Sequence, residues 1–325
     1  MTNNLLPAML RTLGIYLSFL LLFTCCNQRA VPAAPTDTPT AGEVNVAVDE
    51  SFRLLFDTEV YTFESLYPNA HVPIRYLAAQ DALHALLVDS VKVILLDRTL
   101  TKAEKAVFAA QNIYPIETKV LADAVAFVIH PLNLDSNLTV DAIKGLIGGG
   151  RLETAHGVKE MNVVFDCSNG ANENYLKAQL APHASLGKNC FAVHSNPEVV
   201  DYVSTHANAI GVISVNWISD QKDSTCMALR SKIRIVGVGN EVGKTAKIEK
   251  SGKEVTPSFY KPCQAFIKTK DYPFCRDVYM INRQTRAGLG MGFVSFVAGD
   301  VGQRIILKMG LVPAIAPTRM VEISH

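Results

Sequence analysis

A run from Val91 to Leu96, apolar except for Lys92, leads straight into the polar stretch Asp97-Arg98-Thr99-Leu100-Thr101. A run this short and apolar is the mark of a strand buried on both faces, as strands of parallel sheets are. Parallel strands need crossover connections, and helices supply them. The neighbouring segments fit that demand. Val44 to Val48 alternates, passes through Asp49-Glu50-Ser51, and hands over at Phe52 to Phe56, which predicts a strand running into a helix. Val72 to Leu77 predicts a strand and Asp81 to Leu87 a helix. Ala122 to Ile129, apolar except for Asp123, predicts another strand. Thr139 to Ile147 predicts a helix ended by Gly148, Gly149 and Gly150. Met161–Phe165, Asn172–Leu180, Pro197–Ser204 and Ile210–Ser214 then repeat the pattern as strand, helix, helix, strand. Val278 to Ile281 follows as a strand and Gly292 to Met309 as one long amphipathic helix, while Asn240 to Pro257 reads as a surface loop. Such alternation specifies an α/β chain with a second α/β lobe in its middle.

The N-terminus has the layout of an export signal, with Arg11, an apolar run from Leu13 to Phe23, then Cys25 and Cys26. The run is about half the roughly 20 apolar residues of a spanning helix. Leu22-Phe23-Thr24-Cys25 reads as a lipobox, with Cys25 acylated and Cys26 the alternative, because Thr24 is bulkier than the usual residue there. Residues 1–25 are thus expected to be a lipoprotein signal peptide. Residues 26–42, rich in Pro, Thr and Ala, are expected to be a flexible tether. The protein is expected in the periplasm or cell envelope, held to a membrane by lipid.

The formal net charge of +1 and the lack of a Lys/Arg stripe argue against a nucleic-acid surface. The five cysteines beyond the lipobox (Cys167, Cys190, Cys226, Cys263, Cys275) lack zinc-site spacing, so no metal and no cofactor is expected, although an oxidising compartment permits one or two disulfides. There is no HExxH, GxSxG or P-loop, and Gly237, Gly239 and Gly243 miss the dinucleotide spacing, so catalysis has no positive support. His130, His194 and His206 are scattered, with structural or solvated roles favoured.

Three strand ends carry the candidate binding residues. At the first, Ser51 offers a hydroxyl while the amides of Ser51 and Phe52 are expected to point outward and hold an anion, unless Asp49 or Ser51 simply caps the helix. At the second, Asp97 stands at the edge of a cleft beyond a strand's carboxyl end. A carboxylate there repels an anion unless the ligand brings a proton, which phosphate does and sulfate does not. The other reading pairs Asp97 with Arg98 or makes it a cap. At the third, Asp166-Cys167-Ser168-Asn169-Gly170-Ala171-Asn172 is rich in small residues that let amides approach a ligand.

These stretches, with Ala122-Asp123-Ala124-Val125-Ala126 and the C-terminal Gly302-Gln303-Arg304 and Gly310-Leu311-Val312-Pro313, resemble the substrate-binding component of phosphate ABC transporters, more closely the lipoprotein subgroup common in Bacteroidetes. The resemblance implies a type II periplasmic-binding fold, two α/β lobes joined by a two-stranded hinge with the ligand cleft between them. It divides the chain into lobe 1 (43–121 with 276–325) and lobe 2 (122–275). It also implies phosphate contacts at Ser51, Phe52, Asp97, Arg98, Gly170, Ala171 and Asn172. The family's second-strand serine falls near Ala78 and Ala79, and its lobe-2 arginine and Ser-Gly-Thr are replaced at Gly170-Ala171-Asn172, which leaves Arg98 as the expected substitute cation. The function implied is capture of inorganic phosphate by a monomer for ABC permease subunits. The alternative is an anion-sensing or surface interaction lipoprotein. A hydrolase using Ser168 with His194 ranks last.

Overall fold

The computed structural model describes residues 37–154, 156–180, 185–239 and 258–316. The expected signal peptide, both lipobox cysteines and the Asn240–Pro257 loop lie outside them. Ten strands among the described residues form one mixed sheet. They are β1 (Val46–Val48), β2 (Ile74–Tyr76), β3 (Val93–Leu96), β4 (Ile116–Ile129), β5 (Asn162–Phe165), β6 (Cys190–Ala192), β7 (Ala209–Ser214), β8 (Arg234–Ile235), β9 (Cys275–Asn282) and β10 (Val312–Pro313). Their order is β6-β5-β7-β4-β9-β3-β1-β2, with β8 and β10 also on β4.

Each end of the sheet is a parallel block, β2-β1-β3 at one end and β6-β5-β7 at the other. The centre is antiparallel. β4 pairs with β9 from Ile116 to Ala124 and with β7 from Val125 to Ile129, so one strand runs from one block into the other. Every residue of β3 and β7 is buried, as the continuous apolar runs require.

The helices are α1 (Arg53–Leu66), α2 (Ala79–Leu87), α3 (Lys102–Ala109), α4 (Val140–Ile147), α5 (Ala171–Leu180), α6 (Asn196–Thr205), α7 (Ser224–Ser231), α8 (Gln264–Thr269), α9 (Leu289–Ala298) and α10 (Asp300–Lys308). Several start where side-chain chemistry dictates. The Thr101 hydroxyl accepts from the Glu104 amide while Glu104 reaches back to the Thr101 amide, a capping box for α3. The Thr139 and Ser195 hydroxyls accept from the Ala142 and Glu198 amides and so cap α4 and α6, with Pro197 in the first turn of α6. Between α1 and α9, the Phe63 ring packs edge-on against Phe293 at 5.3 Å, and Phe56 meets Phe293 at 6.4 Å. Burying each such ring contributes roughly 2–3 kcal/mol.

Three expectations are corrected. The single helix over Gly292–Met309 is two helices, α9 and α10, broken at Gly299, whose backbone is extended. A Cβ on Gly302 would lie 2.5 Å from Val297 Cα, so the second helix turns back closely on the end of the first. The end of the expected tether, Asp37 to Gly42, is not free. Asp37 accepts from the Leu289 amide at 2.6 Å, Gly42 and Glu43 pair in parallel with Ala70 and His71, and Gly292 lets Pro39 lie where any Cβ would collide. Finally, β4 begins at Ile116 rather than Ala122, because its polar first residues are held by cross-strand pairing to β9 rather than by burial.

Candidate functional site

Four strand ends converge on one buried polar cluster. β1 delivers Asp49 and Ser51, β3 delivers Asp97, β5 delivers Asp166, and β7 delivers Ser214 and Asn216. All four turns follow carboxyl ends of strands, the place where open α/β sheets hold ligands. Asp49, Ser51, Asp123, Asp166, Asn172, Asn196, Ser214, Asn216 and Arg276 are buried there.

The cluster has two linked halves. In one, Asp166 Oδ2 accepts from Ser51 Oγ at 2.8 Å, Asn172 Nδ2 at 3.0 Å and Asn196 Nδ2 at 2.9 Å. Asn172 also donates to Ser51 Oγ, and Asn196 Oδ1 in turn accepts from the Ser214 amide. In the other, Arg276 donates from Nε and Nη2 to Asp123 Oδ2 at 3.0 and 2.8 Å, and from Nη2 to Asn172 Oδ1 at 2.9 Å. Ser214 Oγ donates to the same Asp123 oxygen. Arg276 and Asp123 are register partners across β9 and β4, which fixes their side chains opposite one another. Arg276 Nη1 is buried and donates to no acceptor among the described residues, and it stands 3.6 Å from Asp97 Oδ2.

Four carboxylates (Asp49, Asp97, Asp123, Asp166) thus surround one guanidinium. Burial pushes Asp97 up from the ordinary carboxylate range, with Arg276 opposing and Asp49 reinforcing the shift. Burial also raises Asp123, again against Arg276. Burial and then the Asp49 charge raise Asp166 to about 6, opposed by the bonds from Ser51 and Asn172. For Arg276, burial alone would lower the value, and Asp123 and Asp97 more than offset it. The centre therefore keeps a firm positive charge beside Asp97, Asp123 and Asp166, which take protons more readily than in water.

The structure brings Ser51, Phe52, Asp97, Gly170, Ala171 and Asn172 to this region, although not always by the expected atoms. The amides of Ser51 and Phe52 do not point outward. They donate to Asp49 Oδ1 and Asp49 O, closing a tight turn before α1. Phe52 instead presents its ring, 5.2 Å from the Arg276 guanidinium. The Gly170 amide is turned to Cys167 O, and a Cβ on Gly170 would lie 2.3 Å from Cys167 Sγ, so a larger residue there would have to displace that thiol. The Ala171 amide donates to Asp49 Oδ2 at 3.0 Å, and Asn172 contributes its side chain. Arg98 is directed elsewhere. It forms a two-pronged pair with Glu104 at 2.8 Å on each arm, on the surface. The cation of the cluster is Arg276, which sequence reasoning missed. A lone acid inside the apolar β4 segment and a lone arginine opening β9 were the available signals.

Ser168 is exposed, and His194 uses its amide to bond Glu198. Cys167, Cys190, Cys226, Cys263 and Cys275 are free thiols, so the permitted disulfides do not form among the described residues. Within those residues no group of His, Cys, Asp and Glu is arranged to hold a metal, and no helix is long and apolar enough to cross a membrane.

The family profile described as the PBP superfamily domain matches residues 33–301. No curated protein matches the sequence. Among solved structures, the chain is similar to a phosphate-bound protein from Clostridium perfringens assigned as a phosphate ABC transporter substrate-binding protein. The TM-score is 0.66 at 17% identity, over 84% of this chain and 100% of that one. It is also similar to an ABC-type phosphate transport receptor from Vibrio cholerae (TM-score 0.61, 15% identity, 84% and 100% covered). A third is a phosphate-binding protein from Stenotrophomonas maltophilia (0.58, 11%, 84% and 91%). At these identities the likeness establishes the fold, which is the expected type II binding-protein architecture.

Proposed function

The chain belongs to the PBP superfamily domain family, and from that premise we propose that it is a non-enzymatic receptor that captures inorganic phosphate for an ABC-type importer. The observation that carries this reading is the pairing of Arg276 Nη1 with Asp97 Oδ2 at 3.6 Å. A buried donor that makes no hydrogen bond among the described residues and a carboxylate able to accept one from a protonated ligand stand side by side. A singly or doubly protonated oxyanion satisfies both, accepting from the guanidinium through one oxygen and donating to Asp97 through a protonated one. Ser51 and Asn172 supply further donors, and Phe52 shields the guanidinium from water. Sulfate brings no proton, so Asp97 repels it. The solved relatives named above support the same ligand.

Under this reading, residues 43–121 with 276–325 form one lobe and 122–275 the other, and β4 and β9 are the connecting strands about which they close. Lipid anchoring through Cys25 or Cys26, delivery to permease subunits and a monomeric state complete the proposal. The alternative, a surface interaction lipoprotein on the same fold, draws support from the excess of carboxylates, which weakens anion capture.

The test is calorimetric titration of phosphate and sulfate into the chain starting after Cys26, beside an Asp97→Asn variant. Binding of phosphate but not sulfate, with discrimination lost in the variant, is expected. Silence toward both anions in the parent chain would remove the receptor reading in favour of a surface interaction lipoprotein on the same fold.

A further inference from the structure

The two features that ordinarily receive an anion at a strand-to-helix turn are already engaged by the protein's own acids. The hydroxyl of Ser51 donates to Asp166, whose Oδ2 gathers three donors in all, from Ser51, Asn172 and Asn196. An oxyanion oxygen bound at this place would be held by the same kind of donors. The amide of Ala171, which opens α5, donates to Asp49 across the cluster. A helix start favours negative charge, and here Asp49 supplies it. Asn216 adds a third tie, from Nδ2 to Ser51 O at 3.2 Å. The bonds Ser51–Asp166, Ala171–Asp49 and Asn216–Ser51 each join the turn after β1 to the turn after β5 or β7, in the two different parallel blocks of the sheet.

We propose that Asp166, seconded by Asp49, is a tethered competitor of the captured anion: it occupies the ligand's place on Ser51 and Asn172 and holds the empty cleft shut. The proposal takes from the phosphate reading only the location of the ligand. Capture is then an exchange, in which the incoming anion displaces a carboxylate already fixed in place at high effective concentration. Two consequences follow. The closed form is populated without ligand, and affinity is set by the difference between two anions rather than by the strength of the cradle alone. Asp166 thereby becomes a specificity-determining residue, since a ligand succeeds only if it satisfies Ser51, Asn172 and Asn196 better than a carboxylate does.

Small-angle scattering of the chain starting after Cys26, empty and with anion, separates the possibilities. The sole tryptophan, Trp217, adjoins Asn216 and gives a second readout by emission. The empty parent is expected to be compact and to contract no further with phosphate. Empty Asp166→Ala is expected to be larger, to contract on addition of phosphate, and to contract also with formate, which replaces the missing carboxylate. Its phosphate affinity is expected to rise by roughly tenfold or more. Circular dichroism checks that the variant folds. Asp49→Asn, which keeps the shape and removes one charge, is expected to fall between the two and serves if Asp166→Ala does not fold. An empty parent as expanded as the variants, or variants as compact as the parent and indifferent to formate, overturns the proposal. Expansion and formate rescue without any phosphate response would keep the competitor and remove the phosphate reading instead.

Discussion

Two buried polar places in this molecule are built on opposite terms. The cluster at the strand ends gathers donors on one oxygen each of Asp123 and Asp166: Asp123 Oδ2 receives two bonds from Arg276 and one from Ser214, and Asp166 Oδ2 receives three from Ser51, Asn172 and Asn196. Glu59, on the inward face of α1, is equally buried, yet neither of its carboxylate oxygens has a partner among the described residues. Burial raises the acids in both places, but only in the cluster do a guanidinium and hydrogen bonds push back. Glu59 rises to about 9 through burial alone. Near neutral pH, Glu59 is therefore a neutral acid inside apolar packing, whereas the cluster stays charged and directional. Burial by itself does not mark a site; opposing charge and converging donors do.

The sharpest way to break the contrast is to turn Asp123 into another Glu59. Arg276→Met removes the cluster's one guanidinium and leaves Asp123 buried without an opposite charge. Stripping one partner from a buried ion pair costs about 3–5 kcal/mol. Urea unfolding should show a loss of that size near pH 7, with part of it recovered in acid where Asp123 takes a proton. Calorimetry should show no phosphate response. A stability loss below about 1 kcal/mol would mean that the pair is no more than a surface-type contact.

How much of this was legible in the sequence follows from the range of the interactions. The turns after β1, β3 and β5 could be read because each is local, with an apolar strand, a polar break and a helix start in a dozen residues. Asp97 and Asn172 were placed by that logic. Arg276 was not, because it reaches Asp123 across 153 positions and only sheet register brings the two together. The outward amides of Ser51 and Phe52 failed for the opposite reason. The choice between a cap and an anion site was open, and Asp49 took the amides first. The break at Gly299 escaped because helical spacing continues on both sides of it.

Glu59 gives the second test, opposite in sign and dependent on pH. Its ordinary value of 4.5 rises to about 9 on folding. Folding therefore takes up a proton between those values. The resulting stabilisation is complete below about 4.5 and is lost as pH rises toward 9. Glu59→Met keeps the volume and removes the acid, so its gain in stability should grow by about 1.4 kcal/mol for each pH unit between 5 and 8, flattening the decline between pH 5 and 9. Urea midpoints at the two ends of that range measure the slope. An unchanged slope would mean that the carboxyl group is solvated in solution.

Arg98 supplies the lower limit of the comparison, a charge pair with good geometry but only partial burial. Its two arms meet Glu104 at 2.8 Å while its side chain remains 42% exposed. Water competes for both groups, and holding two long side chains in one arrangement costs entropy. Pairs of this kind contribute about 0.2–1 kcal/mol. Arg98→Ala should therefore lower stability by less than about 1 kcal/mol, and the loss should shrink further in 1 M salt, where the Debye length falls to roughly 3 Å. Phosphate affinity should stay within about twofold of the parent, since a change under 0.4 kcal/mol is all that an uninvolved surface charge should produce. A tenfold loss of affinity would instead show that Arg98 leaves Glu104 when the anion arrives, and that the cleft draws on a second cation besides Arg276.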